Sequence, residues 1–253
     1  MFNFYGFYVL FAREVWRFLK VAIQTLLTPV ITVLLYLLIF SSVISESREM
    51  LPGVAYLEFL VPGLMVMAML QNGFANSSSS LFQSRLNGNI VFVLLAPLSN
   101  FEFFLAFVGA SVVRGLLVGL GVWLAAAAFS PLAIVHPLAA LALASCASAA
   151  LGALGLVSAI IADKWDHIAA FQNFVIVPFS FLSGVFFTVG DLPPFWAKAS
   201  YCNPFFYLVD GFRGSCLGVS EVALPLSLAV AAAFFLLCSA WALWLLYYGN
   251  ALR

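Results

Sequence analysis

The chain has 253 residues, of which 65% are hydrophobic and only 8% are charged. A soluble domain carries roughly 25% charged residues, so this composition excludes a water-soluble globule and predicts an integral membrane protein. The formal net charge is zero, which argues against a nucleic-acid partner, because phosphate binding needs an excess of Lys and Arg.

Residues 4–20 are predicted to form an amphipathic helix along the inner membrane surface. Arg13, Arg17 and Lys20 share one helical face, and apolar residues such as Phe11 and Phe18 lie mostly opposite. A helix of this kind binds the membrane–water interface. Its basic face suits two roles that the sequence does not separate: anchoring to membrane lipid, or docking a cytoplasmic partner.

Six apolar stretches are long enough to cross a membrane, because a hydrocarbon core of ~30 Å needs ~20 helical residues. The predicted spans are approximately residues 21–44, 57–82, 100–129, 133–162, 168–189 and 222–248. The third begins with a capping-box pattern, since Ser99 is followed by Glu102 three positions later. The predicted fold is therefore all-α, with six transmembrane helices.

The basic residues favour a topology with both termini inside. Six Lys and Arg side chains then fall in inner segments and three in outer loops, as the positive-inside rule requires. Residues 190–221 become an aromatic-rich outer loop, in which we expect two short re-entrant or amphipathic helices before the last span. The second of these begins at Asn203, a favoured N-cap residue, with Pro204 at the first helical position.

The second span carries a polar stripe. Its members recur at intervals of four, three and four residues and so share one helical face: Asn72, Asn76, Ser79 and Gln83. Polar side chains at membrane depth must face other helices or water. The stripe is interpreted either as helix–helix contact or as the lining of a transport pathway or dimer interface.

Arg114 lies in the interior of the third span. An arginine at the centre of a membrane helix costs at least ~2.5–3.5 kcal/mol, so it must face protein or water. One interpretation is a structural ion pair, with Glu58 of the second span as a candidate partner. The other is contact with a transported substrate, and the sequence leaves both open.

Small residues and cysteines suggest two further contacts. Gly115 and Gly119 in the third span, and Ser148, Gly152 and Gly155 in the fourth, permit close helix packing. Cys202 and Cys216 both lie in the outer loop, where an oxidising compartment would permit a disulfide. Spacing alone does not establish that bond.

Motifs for catalysis are absent from the sequence. None of the three lysines belongs to a G-x-x-x-x-G-K-[ST] phosphate loop. There is no G-x-S-x-G nucleophile elbow. The two histidines, His136 and His167, are too far apart for a paired zinc motif. We therefore expect no catalytic residue, no metal site and no cofactor bound by this chain.

Several motifs together resemble the type-2 ABC transporter permeases, in particular the YadH-like bacterial inner-membrane group, which is related to the nodulation-factor and drug export permeases. The motifs are QTLLTPVIT at 24–32, FLVPGL at 59–64, VRGL at 113–116, LPPFW at 192–196, NPFFY at 203–207 and GFR at 211–213. The end of the family signature matches Pro204, Phe205, Tyr207 and Arg213, whereas Phe179 departs from its upstream half.

This resemblance implies a single permease domain over residues 1–253 that pairs as a homodimer and binds two copies of a separate ABC ATPase, which holds ATP and Mg. It implies that the second and fifth spans lie along the dimer axis. The N-terminal helix and the loop at 82–99 would contact the ATPase. The residues expected there are Arg13, Arg17, Lys20, Arg85, Leu94, Leu95 and Pro97.

Relatives carry an acidic residue before the paired leucines, but this chain has Val91 and Phe92 in that region, so Arg85 is expected to supply the polar contact.

The implied function is export from the cytoplasm across a bacterial inner membrane by alternating access. The substrate expected from this resemblance is hydrophobic: a lipid-like molecule, a lipid-linked saccharide or a small drug. The alternative is a secondary, ion-coupled transporter, which would need inverted repeats and broken helices near the midplane. We find no matching half-repeat in the sequence.

Overall fold

The computed structural model describes residues 2–43, 49–129 and 134–248. The described chain is nearly all α-helical, as predicted. Within the described residues, five helical segments are long and apolar enough to cross a membrane: Ile23–Ser42, Tyr56–Leu86, Asn100–Ala126, Pro137–Ile161 and Leu224–Tyr248.

The helices are numbered in chain order. They are α1 (Phe4–Leu19), α2 (Thr28–Val43), α3 (Tyr56–Leu86), α4 (Ile90–Leu95), α5 (Asn100–Ala126), α6 (Pro137–Ile161), α7 (Trp165–Phe171), α8 (Val177–Phe181), α9 (Pro194–Tyr201), α10 (Pro204–Leu217) and α11 (Leu224–Tyr248). Strands β1 (Glu49–Leu51) and β2 (Val54–Ala55) form a short antiparallel hairpin between α2 and α3, which the sequence analysis did not predict.

Helix α3 is the centre of the bundle and packs most extensively against α6 and α5. In α3, 83% of the most apolar stretch is buried inside the chain. In Ile23–Ser42, which contains α2 and is called the α2 segment, the buried share is only 11%. Helix α11 packs on α6, and α1 lies against α5. We call the end that carries α4 the inner end and the end that carries α9 and α10 the outer end.

The helix predicted at 168–189 is shorter in the structure. It begins at Trp165 and ends at Phe181, so it extends about 26 Å, less than the ~30 Å of a hydrocarbon core. Residues 182–188 form turns, and Val189–Asp191 forms a single 3-10 turn. The prediction that this helix continues to residue 189 is therefore wrong, and the count of six spans stays a prediction.

Two π-helical turns interrupt the helices that contain Pro29 and Pro178. They are Ile23–Leu27, just before α2, and Gln172–Ile176, between α7 and α8. A proline lacks the N–H group for the helical ladder and crowds the carbonyl four residues earlier. A widened turn relieves that crowding, so each π turn has an identifiable cause in the sequence.

Small residues bring α3, α5 and α6 into close contact, as predicted. A Cβ atom added at Gly115 of α5 would lie 2.7 Å from the Cβ of Ser148 in α6. One added at Gly152 would lie 2.7 Å from the Cβ of Ser111. At Gly155, the added atom would lie 2.5 Å from the carbonyl oxygen of Phe74 in α3. The absence of side chains at these positions sets the distance between the central helices.

Replacing Gly155 with Ala should destabilise the bundle, because the new methyl group meets a backbone carbonyl that cannot move independently of α3. Overpacking of this kind costs about 1–3 kcal/mol. The thermal unfolding midpoint of the detergent-purified protein measures the effect. Gly190→Ala is the matched control, since no atom lies within 4 Å of its added Cβ. Equal midpoints for the two variants would contradict the proposed packing.

Candidate functional site

A buried arginine organises the outer end. Arg213 in α10 has no exposed surface. Its Nε donates to the carbonyl of Phe59 in α3 at 3.2 Å, and its Nη2 donates to the carbonyl of Gly184 at 2.7 Å. The guanidinium also stacks 3.6 Å from the centre of the Phe59 ring. Arg213 therefore joins α10 to α3 and to the turn that follows α8.

Two carboxylates extend this outer network. Asp210 lies one turn before Arg213, with 3.9 Å between the charged groups, and accepts hydrogen bonds from the N–H groups of Glu221 and Val222. Glu221 accepts from the N–H groups of Val189 and Gly190. Burial raises the pKa of the Glu221 carboxyl, while the hydrogen bond from Val189 opposes that shift. The network fixes the loops on both sides of α10.

The other residues of the outer signature also have structural contacts. Asn203 caps α10, as predicted, and its amide donates to the carbonyl of Phe179 at the end of α8. Phe205 is buried against Phe179 with its ring edge-on. The Tyr207 hydroxyl donates to the carbonyl of Tyr201 in α9. Pro204 is the first residue of α10.

The disulfide considered between Cys202 and Cys216 is not present in the structure. Cys202 ends α9 and is exposed, whereas Cys216 is buried in the last turn of α10. Both are free thiols. Helix α10 separates them by about 20 Å, far beyond the reach of a disulfide.

A second polar network lies at the inner end and centres on Glu14 of α1, which has no exposed surface. One carboxylate oxygen accepts from Arg13 (Nη2 at 2.9 Å), and the other accepts from Arg17 (Nε at 3.2 Å). The hydroxyl of Ser80 in α3 also contacts the carboxylate. Glu14 thereby attaches α1 to the central helix.

Arg17 continues the network into the bundle. Its Nη2 donates to the carbonyl oxygen and to the side-chain oxygen of Asn76, both at 2.9 Å. The Asn76 amide donates in turn to the hydroxyl of Ser111 in α5, which lies 2.6 Å from the Ser77 hydroxyl. A chain of hydrogen bonds thus connects α1, α3 and α5.

Arg114 contacts a neutral side chain instead of a carboxylate. Its Nη2 donates to the side-chain oxygen of Asn72 at 2.9 Å, and its Nε has no partner among the described residues. The suggested ion pair with Glu58 is wrong, because Glu58 lies in the first turn of α3, fourteen residues from Asn72. That separation corresponds to about 21 Å along the helix.

The predicted polar stripe of α3 divides among different environments. Asn72 is partly buried and lines a cleft, whereas Asn76 is buried in the network. The Ser79 hydroxyl donates to the carbonyl of Ala75 in its own helix. Gln83 is exposed at the inner end and lines a pocket beside α1. The residues of the stripe share one helical face, but they do not form a single site.

The cleft beside Asn72 has a volume of about 360 Å³. It lies between the α2 segment, α3 and the helix at 165–181, and both π turns contribute to its wall. Its polar lining residues are Gln24, Thr25, Thr28, Thr32, Gln71, Asn72 and Gln172. Sequence reasoning missed most of them, although Gln24, Thr28 and Thr32 recur every four residues and so share one face.

The loop predicted at 82–99 contains α4, and the exposed surface of this helix is apolar. Phe92 and Leu95 are 75% and 77% exposed, and Leu94 is also exposed. Pro97 is exposed as well, and its carbonyl accepts from the side chain of Asn3 at the start of α1. The ends of α1 and α4 are therefore adjacent.

Arg85, which was expected to supply a polar contact to the ATPase, binds backbone carbonyls of α6 through one nitrogen of its guanidinium, and its contact with the ATPase stays a prediction. Its Nη1 donates to the carbonyls of Ala159, Ile160 and Ala162. The last carbonyls of a helix lack partners within that helix, and a cation there is favourable. Arg85 therefore caps α6.

A family model described as ABC-2 type transporter matches residues 5–217. The inner membrane transport permease YadH of Escherichia coli (strain K12) is 37% identical over 234 residues, which cover 90% of this chain and 91% of the relative. Nodulation protein J of Rhizobium leguminosarum bv. trifolii is 26% identical over 201 residues, 79% of this chain and 76% of the relative. Nodulation protein J of Rhizobium meliloti (strain 1021) is 24% identical over 200 residues, with the same coverage.

Replacing Arg213 with Met should destabilise the protein by about 3 kcal/mol, because the carbonyls of Phe59 and Gly184 lose a buried donor and Asp210 loses its neighbouring cation. A thiol-reactive dye can report unfolding through the buried Cys216 and Cys238. Lys198→Met, an exposed cation at the same end, is the control and should leave the midpoint unchanged. An unchanged midpoint for Arg213→Met would contradict the role assigned to Arg213.

Proposed function

The chain belongs to the ABC-2 type transporter family, and from this premise we propose that it is the membrane-spanning permease subunit of an ATP-driven exporter. The long apolar helices and a relative named as an inner membrane permease support a multi-pass protein of the bacterial inner membrane. ATP hydrolysis would belong to a separate ABC ATPase, since this chain has no phosphate loop.

The observation that carries the proposal is the exposed apolar surface of α4. In a short helix at the inner end, the bulky side chains of Phe92 and Leu95 are not covered by the rest of the chain. Exposed apolar side chains of this size, grouped on one element, are typical of a protein or membrane interaction site. We assign α4, together with the adjacent start of α1, to contact with the ATPase.

The cleft between the α2 segment, α3 and the helix at 165–181 is the proposed substrate pathway. Few residues of the α2 segment are buried within one chain, which supports a second copy beside it and hence a homodimer with two ATPase subunits. The cleft would then lie between the copies and open alternately to the two sides. A hydrophobic, lipid-like or lipid-linked saccharide substrate, or a drug, fits its mixed polar and apolar lining.

The proposed topology keeps six spans with both termini inside. The helix at 165–181 and the turns after it would together form the fifth crossing, with α9 and α10 on the outer side. The non-helical part of this crossing is held on both sides, through Asn203 to Phe179 and through Glu221 to Val189. A crossing completed by non-helical backbone is tolerated where protein covers it.

Replacing Phe92 with Asp should abolish co-purification of the permease with its ATPase, because a charge replaces the apolar contact on α4. Phe195→Asp is the matched control: the same change at a residue of similar exposure (73% against 75%), in α9 at the opposite end. Affinity purification from the native membrane measures the complex. If no ABC ATPase co-purifies with the unmodified chain, the proposed function is wrong.

Replacing Arg114 with Gln should reduce ATP hydrolysis by the reconstituted permease–ATPase complex, whereas Arg114→Lys should retain most of it. Gln can keep a hydrogen bond to Asn72 but removes the charge, and Lys keeps the charge. A cation at this depth has a cost and no carboxylate partner among the described residues, which favours a role in the pathway. Full activity of Arg114→Gln, with normal expression, would exclude that role.

A further inference from the structure

A second pocket, of about 620 Å³, lies at the inner end between α1 and the last turns of α3. From α1 it is lined by Arg13, Glu14, Trp16, Arg17 and Lys20, and from α3 and the turn after it by Ser80, Gln83, Ser84, Asn87 and Asn89. Its volume falls within the range of ligand pockets. In a chain with ten Lys and Arg residues in all, three surround this one pocket.

Glu14 orders two of these cations without neutralising the pocket. Its carboxylate accepts from the Nε and Nη2 groups of Arg13 and from the Nε group of Arg17. The Nη1 groups of both guanidiniums remain without a partner among the described residues, and so does the Lys20 ammonium. Three cations face one carboxylate, so the pocket has excess positive charge, and the unused Nη1 donors of Arg13 and Arg17 are already held in place by Glu14.

The pocket is adjacent to a face of α1 that is suited to the membrane interface. Tyr5, Tyr8 and Trp16 are 78%, 59% and 64% exposed. At 100° per residue, this aromatic face lies directly beside the face that carries Arg13 and Lys20. Aromatic side chains of this kind sit at the headgroup level of a bilayer. A ligand in the pocket can therefore come from the inner leaflet.

We propose that the pocket between α1 and α3 binds the phosphate headgroup of an anionic lipid of the inner leaflet. The guanidinium groups and the Lys20 ammonium would bind the phosphate oxygens, and the amides of Gln83 and Asn87 would bind the polar remainder of the headgroup. Basic pockets between helices on the cytoplasmic side suit this ligand class. The site does not require that the chain pair with an ATPase.

The alternative occupant is an acidic side chain of a partner protein. The exposed apolar surface for a protein partner is on α4, whereas the pocket is bordered by the aromatic face of α1. A protein contact normally combines polar groups with an apolar core. The neighbours of this pocket therefore favour lipid.

The test is native mass spectrometry of the full-length chain in detergent micelles at 150 mM salt, titrated separately with phosphatidylglycerol, phosphatidylcholine and inorganic phosphate. The unmodified chain should retain phosphatidylglycerol in preference to phosphatidylcholine. Lys20→Gln should weaken phosphatidylglycerol binding about fivefold, and Arg13→Gln with Lys20→Gln should weaken it further, since each interfacial cation contributes roughly that factor. Lys20 is exposed, and Glu14 keeps its contacts with Arg17 and Ser80 when Arg13 is replaced, so the fold should be retained; the thermal midpoint of each variant verifies this.

Lys164→Gln is the matched control, because Lys164 is exposed at the same end but does not line the pocket. It should bind phosphatidylglycerol as the unmodified chain does. An equal loss in Lys164→Gln would show general surface attraction and overturn the proposal. So would inorganic phosphate binding as tightly as the lipid, or unchanged lipid binding in the double variant. Loss of ATPase co-purification in the double variant, with lipid binding intact, would assign the pocket to the partner protein instead.

Discussion

Buried polar groups in this chain must find partners within the protein, because the surrounding hydrocarbon offers none, and arginine supplies several of the contacts that join separate helices. Arg213 donates to two carbonyls from α3 and the turn after α8, Arg85 caps α6, and Arg17 binds Asn76. Each guanidinium has five donors in a fixed plane, so one side chain can join separate elements. The positions of α1, α6 and α10 around α3 depend on these contacts.

Features determined locally could be predicted from the sequence. Apolar length identified the long helices, and the capping box at Ser99 and Glu102 and the cap at Asn203 are confirmed. The close contacts at Gly115 and Gly152 are confirmed for the same reason, since a missing side chain permits approach whatever the partner. These inferences need only the helical period and the chemistry of a few neighbouring residues.

Features that depend on contacts between distant segments could not be predicted. Arg114 and Asn72 are 42 residues apart, and their pairing follows from the relative depth of α3 and α5, which no local pattern encodes. The contact of Arg85 with α6 was not predicted, because its partners are backbone carbonyls, which any sequence provides. The polar cleft was missed because its lining comes from three segments, of which only α3 had been considered.

The two ends of the bundle differ in how their charges are used. At the outer end, Arg213 and Glu221 are bound to backbone groups on several segments, so movement there breaks hydrogen bonds that hold the loops. At the inner end, Arg13 and Lys20 keep free donors at the surface. Arg17 also connects α1 to Asn76, one helical turn from Asn72 in the cleft wall. A displacement of α1 would break the hydrogen bonds from Arg17 to Asn76, one turn of α3 from the cleft wall, whereas a displacement at the outer end would break contacts on several segments at once.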